Sequence, residues 1–176
     1  SLGVSVDVVK AAVESADIVV AEINPAMPRT HGASFVPAAS IDWFVKSDAP
    51  ILESVPEPPD DVALRIGRFC ASLIDHGATL QMGIGEIPNA VLANIHDKQD
   101  LGVHSEMFSD GIIELMEKGV ITGRRKTLHP RKVVTSFCKG SRRLYDFVDD
   151  NPAFEFLPTE FVNDPFVIAR NDRMVS

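Results

Sequence analysis

Apolar and polar positions along the chain fall into short blocks that switch between helical and strand periods. Val6, Val9, Ala12 and Val13 recur at helical spacing up to about Ala16, with Ser5 placed to cap that helix. Asp17 to Ile23 is a short, continuous, β-branched run and predicts a buried strand. Asn24 to Gly32 holds two prolines and a glycine and predicts a loop; Ser34–Val36 and Ile41–Val45 predict two more short strands. Asp60 and Asp61 open a helix whose Val62, Ile66, Phe69, Cys70 and Leu73 form one apolar face, expected in the core, and Gly77 stops it.

Thr79–Met82 then predicts a strand, Gly83-Ile84-Gly85 a turn, and Pro88 the first turn of a helix running to about His96. Leu101–His104 predicts a strand with Ser105-Glu106-Met107 at its end. Ser109-Asp110 opens a helix through Met116 that Gly119 ends, Lys132–Phe137 is a strand, and Ser141 caps the helix Arg142–Val148. Phe154–Leu157 and Thr159–Val162 read as extended, and the chain stops at Met174-Val175-Ser176 without a closing element. Strands alternating with helices predict the α/β class: an open, mostly parallel sheet with flanking helices.

Residues 48–60 break the pattern. Pro50, Pro56, Pro58 and Pro59 stand there among acids, and proline stiffens a chain and removes backbone donors. This segment reads as a linker dividing residues 1–47 from residues 61–176.

Composition narrows the partners. The 176 residues carry 17 basic against 25 acidic side chains, a formal net charge of -8. That balance argues against nucleic acid or an anionic membrane as the main partner and leaves an anionic small ligand open. No apolar run reaches the roughly 20 residues that span a bilayer, and the amino terminus has no signal-peptide pattern. Cys70 and Cys138 lack a CxxC partner, so the expectation is a reduced, cytoplasmic protein. The five histidines show no metal-ligand spacing, and no metal is expected. The chain starts at Ser1 rather than methionine and reads as a piece of a longer protein.

In open α/β sheets ligands bind beyond the carboxyl ends of the strands. Two features fall there: the Gly83-Ile84-Gly85 turn and Glu106. Glycines let backbone approach a ligand and aim N–H groups at negative charge. The turn lacks the third glycine of a dinucleotide fingerprint and the Gly-Lys-Ser/Thr of a Walker loop. A carboxylate is a competent nucleophile toward an activated acyl group. Taken singly, a Gly-x-Gly is more often a structural turn, and a strand-end glutamate more often a surface or salt-bridge carboxylate.

Together they carry a resemblance. The run from Gln81 through Gly83-Ile84-Gly85-Glu86-Ile87-Pro88-Asn89, a helix, and then Gly102-Val103-His104-Ser105-Glu106-Met107-Phe108-Ser109-Asp110-Gly111 resembles the catalytic half of the acetyl-CoA hydrolase/transferase family. The likeness extends to Asn24-Pro25 and Met27-Pro28-Arg29-Thr30-His31-Gly32 upstream, and to Gly123–Pro130 and Arg143–Phe147 downstream. Class I CoA-transferases place Asn-Gly after the Ser-Glu pair; Met107-Phe108 stands here instead, as in the branch of the family that acts on 4-hydroxybutyrate.

The resemblance implies a CoA-transferase-like fold of the NagB/RpiA type, with residues 1–47 ending an N-terminal domain and 61–176 starting the C-terminal catalytic one. It implies Glu106 as catalytic nucleophile, Gln81, Gly83, Ile84 and Gly85 as oxyanion and CoA-binding positions, and Arg29, His31, Ser105 and Met107 as substrate-binding positions. Coenzyme A enters as a substrate, with no bound cofactor; the partners are an acyl-CoA, a short carboxylic acid and a second copy in a homodimer. Acyl-CoA hydrolysis by the same glutamate, and a non-catalytic structural piece, are the alternatives. The basic run Arg124-Arg125-Lys126 with Arg131-Lys132 suits CoA phosphates, or is a solvated loop. The family's chains continue at both ends and carry a later glycine-rich segment that this chain does not include.

Overall fold

The computed structural model describes residues 1–54 and 58–176. The first region holds helix α1 (Val9–Ser15), strand β1 (Val20–Ile23), a 3-10 turn (Ala38–Ser40) and strand β2 (Trp43–Lys46). The second holds α2 (Asp61–Ser72), β3 (Thr79–Leu80), α3 (Glu86–Leu92), β4 (Gly102–Phe108), α4 (Gly111–Glu117), β5 (Val133–Cys138) and α5 (Arg142–Val148). It closes with β6 (Phe154–Phe156), α6 (Thr159–Val162), α7 (Pro165–Ile168) and β7 (Met174–Val175).

Strands β6-β5-β4-β3-β7 form one sheet in that order, and every neighbouring pair is parallel. All the amino ends therefore lie together, and all the carboxyl ends together. The α/β expectation holds. Strand β7, which the residue pattern did not reveal, is two residues paired on β3. The sheet's neighbours at the other edge are borrowed from the first region. Strand β6 pairs only residues 133–135 of β5. Beyond it the Val6 N–H donates to the Ser136 carbonyl at 2.9 Å, and the Cys138 N–H to the Val4 carbonyl at 3.0 Å. Ser5 thus sits in an antiparallel bridge with Phe137 and caps nothing; α1 starts later, behind Val8.

The core is built from Leu80, Val103, Val133, Phe154 and Phe156 on the strands and from Ile112, Leu115, Leu144 and Val148 on the helices. Phe108 stacks on Phe154 with ring centroids 5.4 Å apart. Asp60 caps α2 as its sequence suggests, accepting from the Ala63 N–H at 2.7 Å.

Four expectations are corrected. Helix α2 buries Ala63, Gly67 and Ala71, while Val62, Ile66, Phe69 and Leu73 are exposed. Small side chains spaced by four let α2 approach α3 closely: a Cβ on Gly67 would stand 2.6 Å from the Ala90 backbone. Close approach of the two backbones, rather than bulk of the apolar stripe, chose the buried face. Thr159–Val162 is a helical turn, α6, begun by Pro158, whose carbonyl accepts from the Phe161 and Val162 N–H groups at 2.9 and 3.1 Å. Residues 34–36 form no strand, and strand β1 leaves Val20 and Ile23 exposed rather than buried.

The proline-rich segment is partly docked. Ile51 packs against the core, Leu52 offers its carbonyl to the Tyr145 hydroxyl at 2.9 Å, and the Ser54 N–H donates to Gly140 at 2.8 Å. Residues 55–57 of that segment lie outside the described residues. Among the described residues no helix is long and apolar enough to cross a membrane.

Candidate active site

Strands β3 and β4 are neighbours, with Thr79 opposite Gly102 and Leu80 opposite Val103. Beyond those pairs, Met82 meets Ser105. The ladder itself ends at Leu80. Its place is taken by one side chain. The Ser105 hydroxyl accepts from the Met82 N–H at 3.0 Å and faces the carbonyls of Met82 at 2.7 Å and Met107 at 2.8 Å. Ser105 is buried and its hydroxyl is engaged within the protein, so its contribution is to pin the tips of β3 and β4 together.

The same device recurs one strand over. The Thr135 hydroxyl faces the carbonyls of Glu106 at 3.1 Å and Phe137 at 3.0 Å. Pairing of β4 with β5 runs through Ser105–Thr135 and resumes at Met107–Phe137. Glu106 lies between those pairs, its peptide held by a side chain. It stands within the second half of β4, a strand longer than its residue pattern suggests.

The Glu106 side chain is half-buried. Its carboxylate accepts from the Asn163 amide Nδ2 at 2.8 Å. Asn163 follows α6, which packs on β4 and β5. The residue pattern did not single out Asn163, because Thr159–Val162 read as extended; only the helical turn brings the amide back over the sheet. Next to Glu106 on the same face is His104, fully buried, with Nε2 2.9 Å from the Val162 carbonyl. Burial lowers the His104 pKa from its ordinary value; the Val162 hydrogen bond opposes this, and Lys126 and His129 add smaller pushes downward.

The glycine turn follows Met82, which Ser105 ties to β4. The Gln81 N–H is taken by the Val175 carbonyl at 2.9 Å, and the Met82 N–H by Ser105. The N–H groups of Gly83, Ile84 and Gly85 have no acceptor among the described residues, and all three residues are exposed. The two glycines differ. Gly85 has φ 118° and ψ -174°, a backbone that disfavours a side chain. Gly83 has no such constraint, and a Cβ there would meet only the Pro88 ring, at 3.7 Å. Nothing inside the protein requires glycine at 83, and open space beside it is what a ligand's close approach requires.

The remaining positions are placed as follows. Met107 pairs with Phe137 and is half-buried. Arg29 and His31 are not brought to Glu106 within this chain. Gly32 bridges to Phe156 on the outer edge of β6, three strand spacings from β4, or about 14 Å. There His31 contacts Asp150 at 3.0 Å, and the Arg29 guanidinium lies over the Phe35 ring at 5.2 Å. The basic run is also remote from the carboxylate. Lys126 is buried and donates to the carbonyls of Val103 and Lys132, both at 2.8 Å, at the amino ends of β4 and β5. Burial pushes its pKa down to about 7 against the pull of Glu155. Among the described residues no group of His, Cys, Asp and Glu is arranged to hold a metal ion.

Models of the two domains of one family match this chain. The acetyl-CoA hydrolase/transferase N-terminal domain matches residues 1–56, and the acetyl-CoA hydrolase/transferase C-terminal domain matches residues 140–176. The chain belongs to the acetyl-CoA hydrolase/transferase family. It is 52% identical over 176 residues to the 4-hydroxybutyrate coenzyme A transferase of Clostridium kluyveri, covering 100% of this chain and 41% of that protein. It is 42% identical to the succinyl-CoA:acetate/propanoyl-CoA:succinate CoA transferase of Fasciola hepatica, covering 100% of this chain and 37% of that one. The crystal structure of 4-hydroxybutyrate CoA-transferase from Porphyromonas gingivalis superposes with a TM-score of 0.95 at 50% identity, over 99% of this chain and 44% of that chain. The family member described here thus spans about two-fifths of the length of the relatives it matches.

Proposed function

We propose that this chain supplies the nucleophile of a CoA-transferase, and that the nucleophile is Glu106. One observation carries the reading: Glu106 follows Ser105, whose hydroxyl is tied to Met82, and the residues after Met82, Gly83 to Gly85, have three backbone N–H groups with no acceptor among the described residues.

In the proposed reaction a Glu106 oxygen attacks the carbonyl carbon of an acyl-CoA such as acetyl-CoA. The C–S bond breaks, CoA leaves as thiolate, and an acyl-glutamyl anhydride remains. The thiolate attacks the glutamyl carbonyl carbon, releases the donor's carboxylate, and leaves a glutamyl-CoA thioester. A short carboxylic acid such as 4-hydroxybutyrate, as its carboxylate, attacks that thioester, expels the thiolate and forms a second anhydride. Attack of the thiolate on the acceptor's acyl carbon gives the new acyl-CoA and restores the Glu106 carboxylate. No proton is gained or lost overall, so the site requires no general base. Each addition builds an oxyanion, and the free N–H groups of Gly83 to Gly85 and the Gln81 amide are the donors available for it. Asn163 fixes one carboxylate oxygen and so sets which way the other points.

In hydrolysis water takes the place of the acceptor acid: it attacks the glutamyl-CoA thioester, the C–S bond breaks, the proton lost by water passes to the departing thiolate, and Glu106 is restored; the family's description covers both outcomes. Exchange is measured in the full-length protein, with and without a carboxylate acceptor. A transferase forms new acyl-CoA only with the acceptor present; a hydrolase releases free CoA without it. Glu106→Gln loses both, by about 10³-fold or more. Exchange at the wild-type rate in that variant removes Glu106 as nucleophile.

A further inference from the structure

His104 is the one histidine of five that is fully buried, and it lies two residues before Glu106 on the same face of β4. A carbonyl only accepts, so the contact with Val162 fixes the proton on Nε2. Nδ1 is then an acceptor, buried and without a partner among the described residues. A buried acceptor left unsatisfied costs about 1–3 kcal/mol, so an imidazole is a poor choice here for stability alone.

The geometry of α6 shows what the imidazole holds. Two consecutive residues, Val162 and Asn163, meet two same-face residues of β4: Val162 takes the His104 hydrogen bond, and Asn163 gives one to Glu106. Helix α6 is a single turn of four residues, too short to hold itself in place. Its fixed points are the Pro158 start, the buried Val162 side chain, and Phe161, whose ring lies 6.3 Å from the His104 ring and 5.5 Å from that of His129. His104 is the strand residue that fixes this turn immediately beside Asn163.

We propose that His104 is a positioning residue for the reaction: its Nε2–H to Val162 hydrogen bond holds α6 where the Asn163 amide meets Glu106. This rests on the reading of Glu106 as nucleophile. His104 touches no reacting atom, and it acts through Asn163. Burial lowers the imidazole's pKa, and the nearby charges of Lys126 and His129 lower it further.

The test compares two amides of similar polarity in the full-length enzyme. His104→Gln places an amide nitrogen near the position of Nε2, within reach of Val162. His104→Asn places one near Nδ1, short of it. The Asn variant is expected to lose about 10- to 100-fold in kcat, as for a misplacement of about 1 Å, with KM for the acyl-CoA nearly unchanged. The Gln variant is expected to stay within about threefold of wild type. In an Asn163→Ala background the two are expected to exchange at the same rate within about twofold, because the group through which His104 acts is gone. Equal kcat for the Gln and Asn variants in the Asn163-containing enzyme, whether both active or both dead, overturns the proposal. So does an Asn-variant loss that persists undiminished without Asn163. Glu106→Gln is run alongside. If it exchanges normally, the nucleophile reading fails and takes this one with it. If it is dead while His104→Asn is fully active, only the His104 role fails.

Discussion

The two ends of the five-stranded sheet handle charged residues in opposite ways. At the carboxyl end the backbone leaves its ladder early. Ser105 and Thr135 take over the carbonyls of Met82 and Glu106, the Glu106 carboxylate is held by one amide, and three N–H groups are left without an acceptor among the described residues. At the amino end a charged side chain is drawn in. Lys126 is buried on the carbonyls of Val103 and Lys132, and the Arg125 and Arg173 guanidiniums both reach the His76 carbonyl. Across about 10 Å, the length of a few strand residues, polar groups pass from serving the fold to being available for chemistry. Both ends carry charge in the sequence. What separates them is whether the backbone hydrogen bonds are already satisfied.

Substitutions at the two ends sharpen that contrast. The largest expected effect short of removing Glu106 is at Gly83. Gly83→Ala is expected to cost about 10²-fold in exchange by blocking approach to the free N–H groups, with stability unchanged within about 0.5 kcal/mol. Gly85→Ala is expected to be destabilising by about 1–3 kcal/mol because of its backbone angles. Denaturant midpoints and exchange rates measured on both variants separate the two cases. If Gly83→Ala is as destabilising as Gly85→Ala, the turn serves the fold alone.

Lys126→Met comes next. It is expected to lower stability by about 1–3 kcal/mol, since two buried carbonyls lose their donor, and to leave kcat of the folded enzyme unchanged within about twofold. Its pH dependence has a defined sign. The folded value of about 7 lies below the ordinary lysine value near 10.4, so between them the unfolded chain binds the extra proton and stability rises with pH. Below about 7 the burial penalty is fully present. Cys138, pushed up to about 12 by burial, works the other way above about 8.5, so the Lys126 contribution is read as the difference between wild type and Lys126→Met. Urea midpoints at several pH values supply it; a difference that does not change with pH contradicts the assignment.

The smallest effect is expected from Arg124→Ala and Arg131→Ala, which stand at the amino end of the sheet. Their KM for acyl-CoA should stay within about twofold of wild type. A tenfold rise would bring CoA phosphates to the wrong end of the sheet for this account.

Much of this was legible in the residues. Periodicity placed most strands and helices, and the glycine turn and the strand-end glutamate stood out as the candidate site, because each leaves a local mark in the residues. What was not legible came from tertiary choices. Helix α2 turned its small residues inward because α3 approaches it too closely for Phe69 or Leu73. Thr159–Val162, rich in β-branched and aromatic residues, became a helical turn behind Pro158, and with it Asn163 was hidden from a reading of strand ends. Arg29 and His31 share a loop motif with a glycine, yet that loop extends the far edge of β6 and not the neighbourhood of Glu106. The hydroxyl of Ser105, singled out as a substrate contact, also ties two strands together, which is visible only once both of its carbonyl partners are in place.

The most direct measurement is peptide mass spectrometry of the full-length protein after incubation with an acyl-CoA and trapping with borohydride. Reduction of a glutamyl anhydride or thioester turns the glutamate into an alcohol. The account predicts a mass change confined to the peptide that holds Glu106, absent when acyl-CoA is omitted. A folded, exchange-active protein with that peptide unmodified, or with the change on another carboxylate, would contradict it.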